Sequence, residues 1–262
     1  MKKVLTVAGS DPSGGAGIQA DIKTIAAHGL YAMSVITSLT AQNTLGVFGI
    51  LDVDANFVKK QLDCVFADIY PDAVKIGMLS SESIIDAVAE RLTFYKAKNI
   101  VFDPVMVATS GDRLLKSGDE SALFKLFSSV SLITPNIPET EALCGFSVKN
   151  KYDMEKAAKA LSKRSGCAVL VKGGHLAEDS LPDVSDCLYE NNSLRWFSSP
   201  RIDNPNNHGT GCTLSSAIAC NLAMGKGLAD SVKDAKEYLT AALSRRLDIG
   251  QGRGPLFHNF NF

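Results

Sequence analysis

The chain has 262 residues, of which 45% are hydrophobic and 21% charged, a balance that excludes a disordered chain and is typical of a globular protein. Its net charge of −1 argues against a nucleic-acid or anionic-membrane surface, either of which needs a basic excess. No apolar run approaches the ~18 residues that span a bilayer. The apolar run in the N-terminal MKKVLTVAGSD is too short for a signal peptide and is interpreted as a first strand. The six cysteines form no CxxC pair, which favours free thiols in a reducing cytoplasm.

Short β-rich runs alternate with helical patterns along almost the whole chain, which predicts βα units around a mostly parallel sheet. Strands are expected at residues 4–8, 34–39, 73–76, 100–102, 132–134 and 168–171. Helices are expected at residues 15–28, 83–95, 153–165, 212–224 and 228–247. A hairpin is predicted from strands 186–189 and 194–197 around the turn ENNS. No repeat or linker divides the sequence, so residues 1–262 are predicted to form one domain.

The strand ends predict where the chemistry lies, because open parallel sheets bind ligands at the carboxyl ends of their strands. The first strand is followed by GSDPSGGAG and the second by TAQN. The later strand ends give GM, DP, PN and KGGH. Glycines, a carboxylate, an amide and a lysine therefore converge on one rim, which indicates a ligand site.

The glycine loop contains GAGIQA at residues 15–20, which matches a dinucleotide-binding fingerprint. Six residues separate it from the strand, however, and the second strand ends without the acidic residue that would hold a ribose. No Walker A lysine follows the loop. A ligand-binding loop is favoured over both an NAD site and a purely structural turn.

The segment NNHGTGCT, residues 206–213, opens an apolar helix. Gly209 and Gly211 expose backbone N–H groups where the helix dipole is positive, which suits a phosphoryl group or a developing oxyanion. Cys212 at this position is expected to ionise more easily than a free cysteine. A buried structural cysteine is the plainer alternative. A Cys–His hydrolase using His208 is a weaker one, because no orienting third residue is recognisable.

Phosphoryl transfer also requires charge neutralisation. Asp103 and Glu139 offer hard oxygen ligands for Mg²⁺, although a glutamate in a first helical turn also complements the helix dipole without any metal. Lys172 emerges from a buried strand and suits a polyphosphate. Residues 108–112, ATSGD, are expected to form a mobile lid.

Seven motifs occur in the order in which they occur in the hydroxymethylpyrimidine/phosphomethylpyrimidine kinases: GSDPSGGAGIQADIKT, TAQNT, KIGML, DPVM, TPNIPE, VKGGH and NHGTGCT. Each motif is weak alone, but together they extend from about residue 4 to residue 255 and are highly specific. The resemblance implies a three-layer αβα, ribokinase-like fold with MgATP as phosphoryl donor. It also implies two successive phosphorylations of a hydroxymethylpyrimidine, on the route to thiamine.

The resemblance further implies a role for individual positions. The pyrimidine is expected to be bound by Gly9, Asp21, Gln42 and Met78. Catalysis is expected from Lys172, Gly209, Gly211 and Cys212, nucleotide binding from Asn136, Lys172 and Thr210, and magnesium binding from Asp103 and Glu139. A cytoplasmic homodimer acting on a small molecule is expected.

Two alternatives stay open: a pyridoxal-type vitamin kinase on the same scaffold, and a catalytically silent nucleotide-binding regulator. Some pyridoxal kinases share a cysteine at the position of Cys212, so this residue does not separate the substrates. Gln42 favours the pyrimidine, because its amide offers a donor and an acceptor to an aminopyrimidine edge.

Overall fold

The structure is a computed structural model that describes residues 1–106, 122–174, 176 and 182–260. Its strands are β1 (Lys3–Ser10), β2 (Tyr31–Asn43), β3 (Gly46–Asp52), β4 (Ala73–Ile76), β5 (Ile100–Phe102), β6 (Leu132–Ile133), β7 (Ala168–Val171), β8 (Asp183–Glu190) and β9 (Ser193–Pro200). Its helices are α1 (Gly17–Ala27), α2 (Ala55–Asp68), α3 (Glu82–Phe94), α4 (Leu123–Phe127), α5 (Ile137–Cys144), α6 (Lys151–Ser165), α7 (Thr210–Ala223) and α8 (Leu228–Leu243). The predicted lid at residues 108–112 lies outside the described residues.

The strands form one sheet in the order β3-β2-β1-β4-β5-β6-β7-β8-β9. Six neighbouring strands run parallel to one another: β2, β1, β4, β5, β6 and β7. The outer strands β3, β8 and β9 each pair antiparallel with their neighbours. The central strands are short and buried; all four residues of β4 are buried, as is typical of a parallel sheet covered on both faces. The predicted mostly parallel sheet is confirmed.

Successive residues of a strand point to opposite faces of the sheet, and β1 shows this alternation. Leu5 and Val7 pack into a core shared with α2 to α6. Val4 packs into a second core with α1, α7 and α8. The helices therefore cover both faces, which gives the three layers expected from the sequence.

The predicted hairpin is present as β8 and β9, whose strands meet at the pair Glu190 and Ser193. The two turn residues, Asn191 and Asn192, have φ values of 49° and 60°, the left-handed conformation that two-residue hairpin turns require and that asparagine tolerates. Within the described residues, no helix combines the length and apolarity needed to cross a membrane.

Four elements were not among the predicted strands and helices: β3, α2, α4 and α5, although Glu139 of α5 was expected in a first helical turn. Strand β3 is an edge strand that exposes Phe48, Ile50 and Leu51, so its sequence lacks the polar alternation of a half-buried strand. Helix α8 ends at Leu243, four residues before the predicted boundary.

Candidate active site

A cavity of about 650 Å³ opens at the carboxyl ends of the parallel strands, beside the first turn of α7. Its walls include all of the predicted site residues except Asp21: Gly9, Gln42, Met78, Asp103, Asn136, Glu139, Lys172, Gly209, Thr210, Gly211 and Cys212. The fold therefore brings together residues that are as far apart in the sequence as Gly9 and Cys212, as expected for residues that follow parallel strands.

Two glycine loops form one wall of this cavity by packing backbone against backbone. Gly17 and Gly209 have φ values of 56° and 86°, and an added Cβ would collide with the carbonyl oxygen of Gly9 or of Gly15, respectively. A Cβ at Gly211 would lie 3.1 Å from Asp103 Oδ2 and 3.3 Å from Lys172 Nζ. The start of α7 can therefore approach the charged groups closely only because these positions lack side chains.

Asp11 holds the first glycine loop in shape, a role that the sequence analysis missed. Its Oδ1 accepts hydrogen bonds from the backbone N–H and the hydroxyl of Ser13, at 2.9 and 2.7 Å, and its Oδ2 accepts from Ala16 N at 2.8 Å. Burial alone would raise the pKa of Asp11, but hydrogen bonds from His208, Ser13 and the backbone lower it to about 2. The signal was available, because an aspartate followed two residues later by serine in a glycine-rich loop is typical of an Asx turn.

Lys172, which is partly buried, and Asp103, which is buried, form an ion pair at one end of the cavity, next to the first turn of α7. The distance from Lys172 Nζ to Asp103 Oδ1 is 2.6 Å, and the Thr134 hydroxyl donates to the same oxygen at 2.9 Å. Burial favours the neutral amine, yet the nearby carboxylates of Asp103 and Glu139 raise the pKa of Lys172. The lysine is therefore cationic at physiological pH and faces the N-terminus of α7.

Glu139 caps α5 together with Asn136. Glu139 Oε2 accepts from Asn136 N at 2.8 Å, and Asn136 Oδ1 accepts from Glu139 N at 2.9 Å, which is a capping box. The purely structural interpretation of Glu139 therefore has a physical basis. Burial and the charge of Asp103 nevertheless raise the pKa of Glu139 to about 7, with Lys172 opposing.

This raised pKa predicts a pH-dependent stability. Because the folded-state pKa lies above the ordinary value of 4.5, the native state binds the extra proton, and its stability should fall as the pH rises from about 4.5 to 7. Glu139→Gln keeps the capping oxygen and removes the buried charge. It should raise the free energy of unfolding at pH 8 by about 1–3 kcal/mol, and have little effect at pH 4.5. Urea unfolding at both pH values measures this, with Glu141→Gln as the control on the same helix; an equal gain at both pH values would contradict the prediction.

Cys212 lies half-buried in the cavity wall as the third residue of α7. Burial raises the pKa of its thiol to about 11; Lys75 and a backbone hydrogen bond from Gly17 oppose this, while Asp21 and Asp103 add to it. The expected easy ionisation of Cys212 is therefore wrong. Desolvation and two neighbouring carboxylates outweigh the effect of the helix N-terminus.

Asp21 lies beneath the cavity and not in its wall. Its carboxylate is fully buried and both of its oxygens accept from Lys75 Nζ at 2.8 Å. The hydroxyls of Thr6 and Ser216 donate to it at 2.5 and 2.8 Å. With these partners Asp21 cannot reach a ligand, so the expected contact with the substrate ring does not fit this geometry; Asp21 instead joins β1, β4 and α7.

His208 also lines the cavity, and its Nε2 lies 2.9 Å from Asp11 Oδ2. This partner, together with the raised pKa of Cys212, removes the basis for a Cys–His hydrolase. The ring instead links the loop that precedes α7 to the glycine loop that follows β1.

Comparison with known proteins identifies related chains. The sequence model of the phosphomethylpyrimidine kinase family matches residues 11–257. The chain is 46% identical over 264 residues to the hydroxymethylpyrimidine/phosphomethylpyrimidine kinase of Escherichia coli, covering 98% of both chains. It is 49% identical over 257 residues to the thiamine biosynthesis bifunctional protein ThiED of Geobacter sulfurreducens. This match covers 97% of the chain but only 52% of that protein.

Among solved structures, the pyridoxal kinase of Staphylococcus aureus in complex with ADP superimposes with a TM-score of 0.90. The two sequences are 32% identical, and the match covers 99% of this chain and 94% of that one. The predicted three-layer αβα, ribokinase-like fold is confirmed.

Proposed function

Since the chain belongs to the phosphomethylpyrimidine kinase family, we propose that it transfers a phosphoryl group from ATP to the hydroxymethyl group of 4-amino-5-hydroxymethyl-2-methylpyrimidine. It then phosphorylates the resulting monophosphate, which gives the pyrimidine diphosphate for thiamine biosynthesis. This two-step activity is in keeping with the E. coli hydroxymethylpyrimidine/phosphomethylpyrimidine kinase, which the chain matches over 98% of both sequences.

One observation carries the proposal: a cationic lysine, a carboxylate and a helix N-terminus converge at one end of a cavity whose wall also holds a polar amide. Lys172 Nζ and Asp103 Oδ2 both face Gly211. A Cβ atom added to this glycine would lie 3.3 Å from Lys172 Nζ and 3.1 Å from Asp103 Oδ2. Gln42 belongs to the same cavity. Phosphoryl transfer needs mainly positioning and charge neutralisation, and this arrangement supplies both.

In this proposal the residues divide the work by their position along the cavity. Gln42, Met78 and Gly9 hold the ring, while Asn136 and Thr210 contact the nucleotide. The N–H groups at Gly209 and Gly211 bind the phosphoryl oxygens as charge develops on them. Lys172 neutralises the same oxygens, and Cys212 lies beside the position of the substrate hydroxyl.

Magnesium fits the donor set at this end of the cavity. Asp103 and Glu139 provide carboxylate oxygens. Burial and, to a smaller extent, the charge of Asp103 raise the pKa of Glu139, and a bound cation would lower it again. In the described residues no cluster of three or more acidic, histidine or cysteine side chains is suited to bind a metal ion by itself. This agrees with an ion held by one or two carboxylates, water and the nucleotide phosphates. When bound, Mg²⁺ would shield the polyphosphate charge.

Pyridoxal kinase is the second candidate, favoured by the structural similarity to the S. aureus enzyme. The identity of 32% to that enzyme is lower than the 46% to the E. coli pyrimidine kinase. The ion pair of Lys172 with Asp103 argues against a silent regulator, because nucleotide binding alone does not require a lysine positioned at the transferring phosphate.

A substrate comparison tests the proposal. The purified protein should show a higher kcat/KM with hydroxymethylpyrimidine than with pyridoxal, in an ADP-release assay. Gln42→Leu should lower kcat/KM for the pyrimidine by about tenfold or more, since an unpaired hydrogen-bonding group in a buried site costs about 1–3 kcal/mol, and should leave the KM for ATP nearly unchanged. Gln61→Leu is the control, because Gln61 bonds to the backbone of Ile36 away from the cavity. A higher kcat/KM with pyridoxal would replace this function with the second candidate.

We further propose that residues 1–262 form one kinase domain that works as a homodimer in the cytoplasm. One continuous sheet in the described part of the chain supports the single domain. All six cysteines are free thiols, in keeping with a reducing compartment. Strands β2 and β3 expose Leu39, Phe48 and Leu51, an apolar surface that a second copy would cover. Sedimentation equilibrium tests the dimer.

A further inference from the structure

His208 joins three parts of the site. Its ring packs on Gly15, where an added Cβ would collide with His208 Cδ2, and its backbone N–H donates to Gly254 O at 3.1 Å. Its Nε2 lies 2.9 Å from Asp11 Oδ2 and 3.3 Å from the side-chain nitrogen of Gln42. Only 6% of the residue is exposed, so water cannot easily replace Asp11 or Gln42 as a hydrogen-bond partner of the ring.

The proton on Nε2 is fixed by Asp11. The pKa of Asp11 is lowered to about 2, so its carboxylate is ionised and can only accept hydrogen bonds. Nε2 must therefore carry a proton, whether the imidazole ring is neutral or charged. It follows that the part of Gln42 facing Nε2 must be an acceptor, because an amide N–H and a ring N–H cannot bond to each other.

The hydrogen bonds of Thr40 lead to the same orientation of the Gln42 amide. Thr40 Oγ1 lies 3.0 Å from Ser10 O and 3.1 Å from Gln42 Oε1, but a hydroxyl has one proton. The backbone carbonyl can only accept, so the proton goes to Ser10, and the part of Gln42 facing Thr40 must be a donor. Rotating the amide of Gln42 by 180° exchanges its oxygen and nitrogen without changing its shape, and satisfies both neighbours at once.

We propose that His208, held by Asp11, is a positioning residue that fixes the amide of Gln42 with its oxygen toward His208 and its nitrogen toward Thr40. The inference rests on the proposed function. The amide then offers the cavity an acceptor on the His208 side and a donor on the Thr40 side. An aminopyrimidine matches this polarity with its amino group toward His208 and its ring nitrogen toward Thr40, whereas a 4-oxo ring, with its carbonyl and ring N–H, reverses both hydrogen bonds. His208 thus determines which ring is accepted, although it acts through Gln42.

The test compares the 4-amino and 4-oxo forms of 5-hydroxymethyl-2-methylpyrimidine as substrates. The wild-type protein should prefer the amino form by at least about 10²-fold in kcat/KM, because a reversed donor and acceptor leaves buried groups unpaired. In His208→Phe only Thr40 still orients the Gln42 amide, through a hydroxyl that can turn its proton from Ser10 O to Gln42, so this preference should fall at least about tenfold, with little change in the KM for ATP. His258→Phe is the matched control: His258 is also buried and bonds to Thr213 of α7, and its loss should leave the preference unchanged. An unaltered preference in His208→Phe would overturn the proposal.

A second measurement uses the wild-type protein and does not depend on turnover or on the folding of a variant. A long-range ¹H–¹⁵N correlation spectrum of the histidine rings should show His208 protonated at Nε2, and an unprotonated Nε2 would overturn the proposal. If the wild-type protein phosphorylates neither pyrimidine, the proposed function fails, while the spectrum still reports whether His208 can fix Gln42 in this way.

Discussion

Replacing Lys172 by methionine should lower kcat by about 10²–10³-fold, the effect of removing one preorganised group that stabilises developing charge. Methionine keeps the length and the apolar part of the side chain, so the change removes mainly the charge. Lys172 Nζ lies 2.6 Å from Asp103 Oδ1 and beside the position of Gly211, where the transferring phosphoryl group would pass. The pKa of Lys172 is raised by the carboxylates of Asp103 and Glu139 against the effect of burial, so the wild-type charge is present throughout the working pH range.

Single-turnover measurement of phosphoryl transfer at saturating ATP gives this effect directly, because it separates the chemical step from nucleotide binding and product release. The KM for ATP should rise less than kcat falls, since in the proposed function the polyphosphate also contacts backbone N–H groups of α7. Lys226→Met is the control, since Lys226 forms a surface ion pair with Asp234 at 2.6 Å. A near-normal single-turnover rate for Lys172→Met would remove the lysine from the transfer step.

The central strands were predictable because each is a short apolar run with clear boundaries. The observed bounds of β4, β5 and β7 are those predicted, since burial on both faces leaves a continuous hydrophobic signal. The edge strand β3 lacks that signal, because its large apolar residues, such as Phe48, are exposed. The rim of the site was predictable for a topological reason: residues that follow parallel strands meet at one edge of the sheet.

What the sequence did not reveal depends on pairs of distant residues. Asp21 was expected in the substrate site because nothing local to it indicates Lys75, fifty-four positions away, as its buried partner. Asp11 and His208 are separated by 197 positions, and their contact needs the α7 loop to pack on the first glycine loop. The raised pKa of Cys212 likewise follows from burial and from the charges of Asp21 and Asp103, which a local motif does not reveal.

Cys212 lies where a side chain could remove or orient the proton of the substrate hydroxyl in the proposed function. From the sequence, Cys212 was expected to ionise easily and to take part in catalysis, either as a thiolate that accepts the proton of the substrate hydroxyl or as a group that positions this hydroxyl. With a pKa of about 11, the thiolate is a minor species at neutral pH, roughly one molecule in 10³–10⁴. In the proposed function, a neutral thiol would therefore position the hydroxyl, Lys172 would neutralise the developing charge, and the hydroxyl proton would pass to an oxygen of the transferred phosphoryl group.

These two roles predict different rates and different pH profiles. For a positioning thiol, Cys212→Ala should lower kcat by about 10²-fold, because small displacements of reacting groups have effects of that size. Cys212→Ser should stay within about tenfold of wild type, because its hydroxyl also forms hydrogen bonds, and the wild-type kcat should be nearly constant from pH 7 to 9. A thiolate base would instead give a rise of about tenfold per pH unit over that range, and serine would be as slow as alanine. Cys220→Ala is the control, since Cys220 is fully buried within α7 and its loss should lower the melting temperature more than kcat.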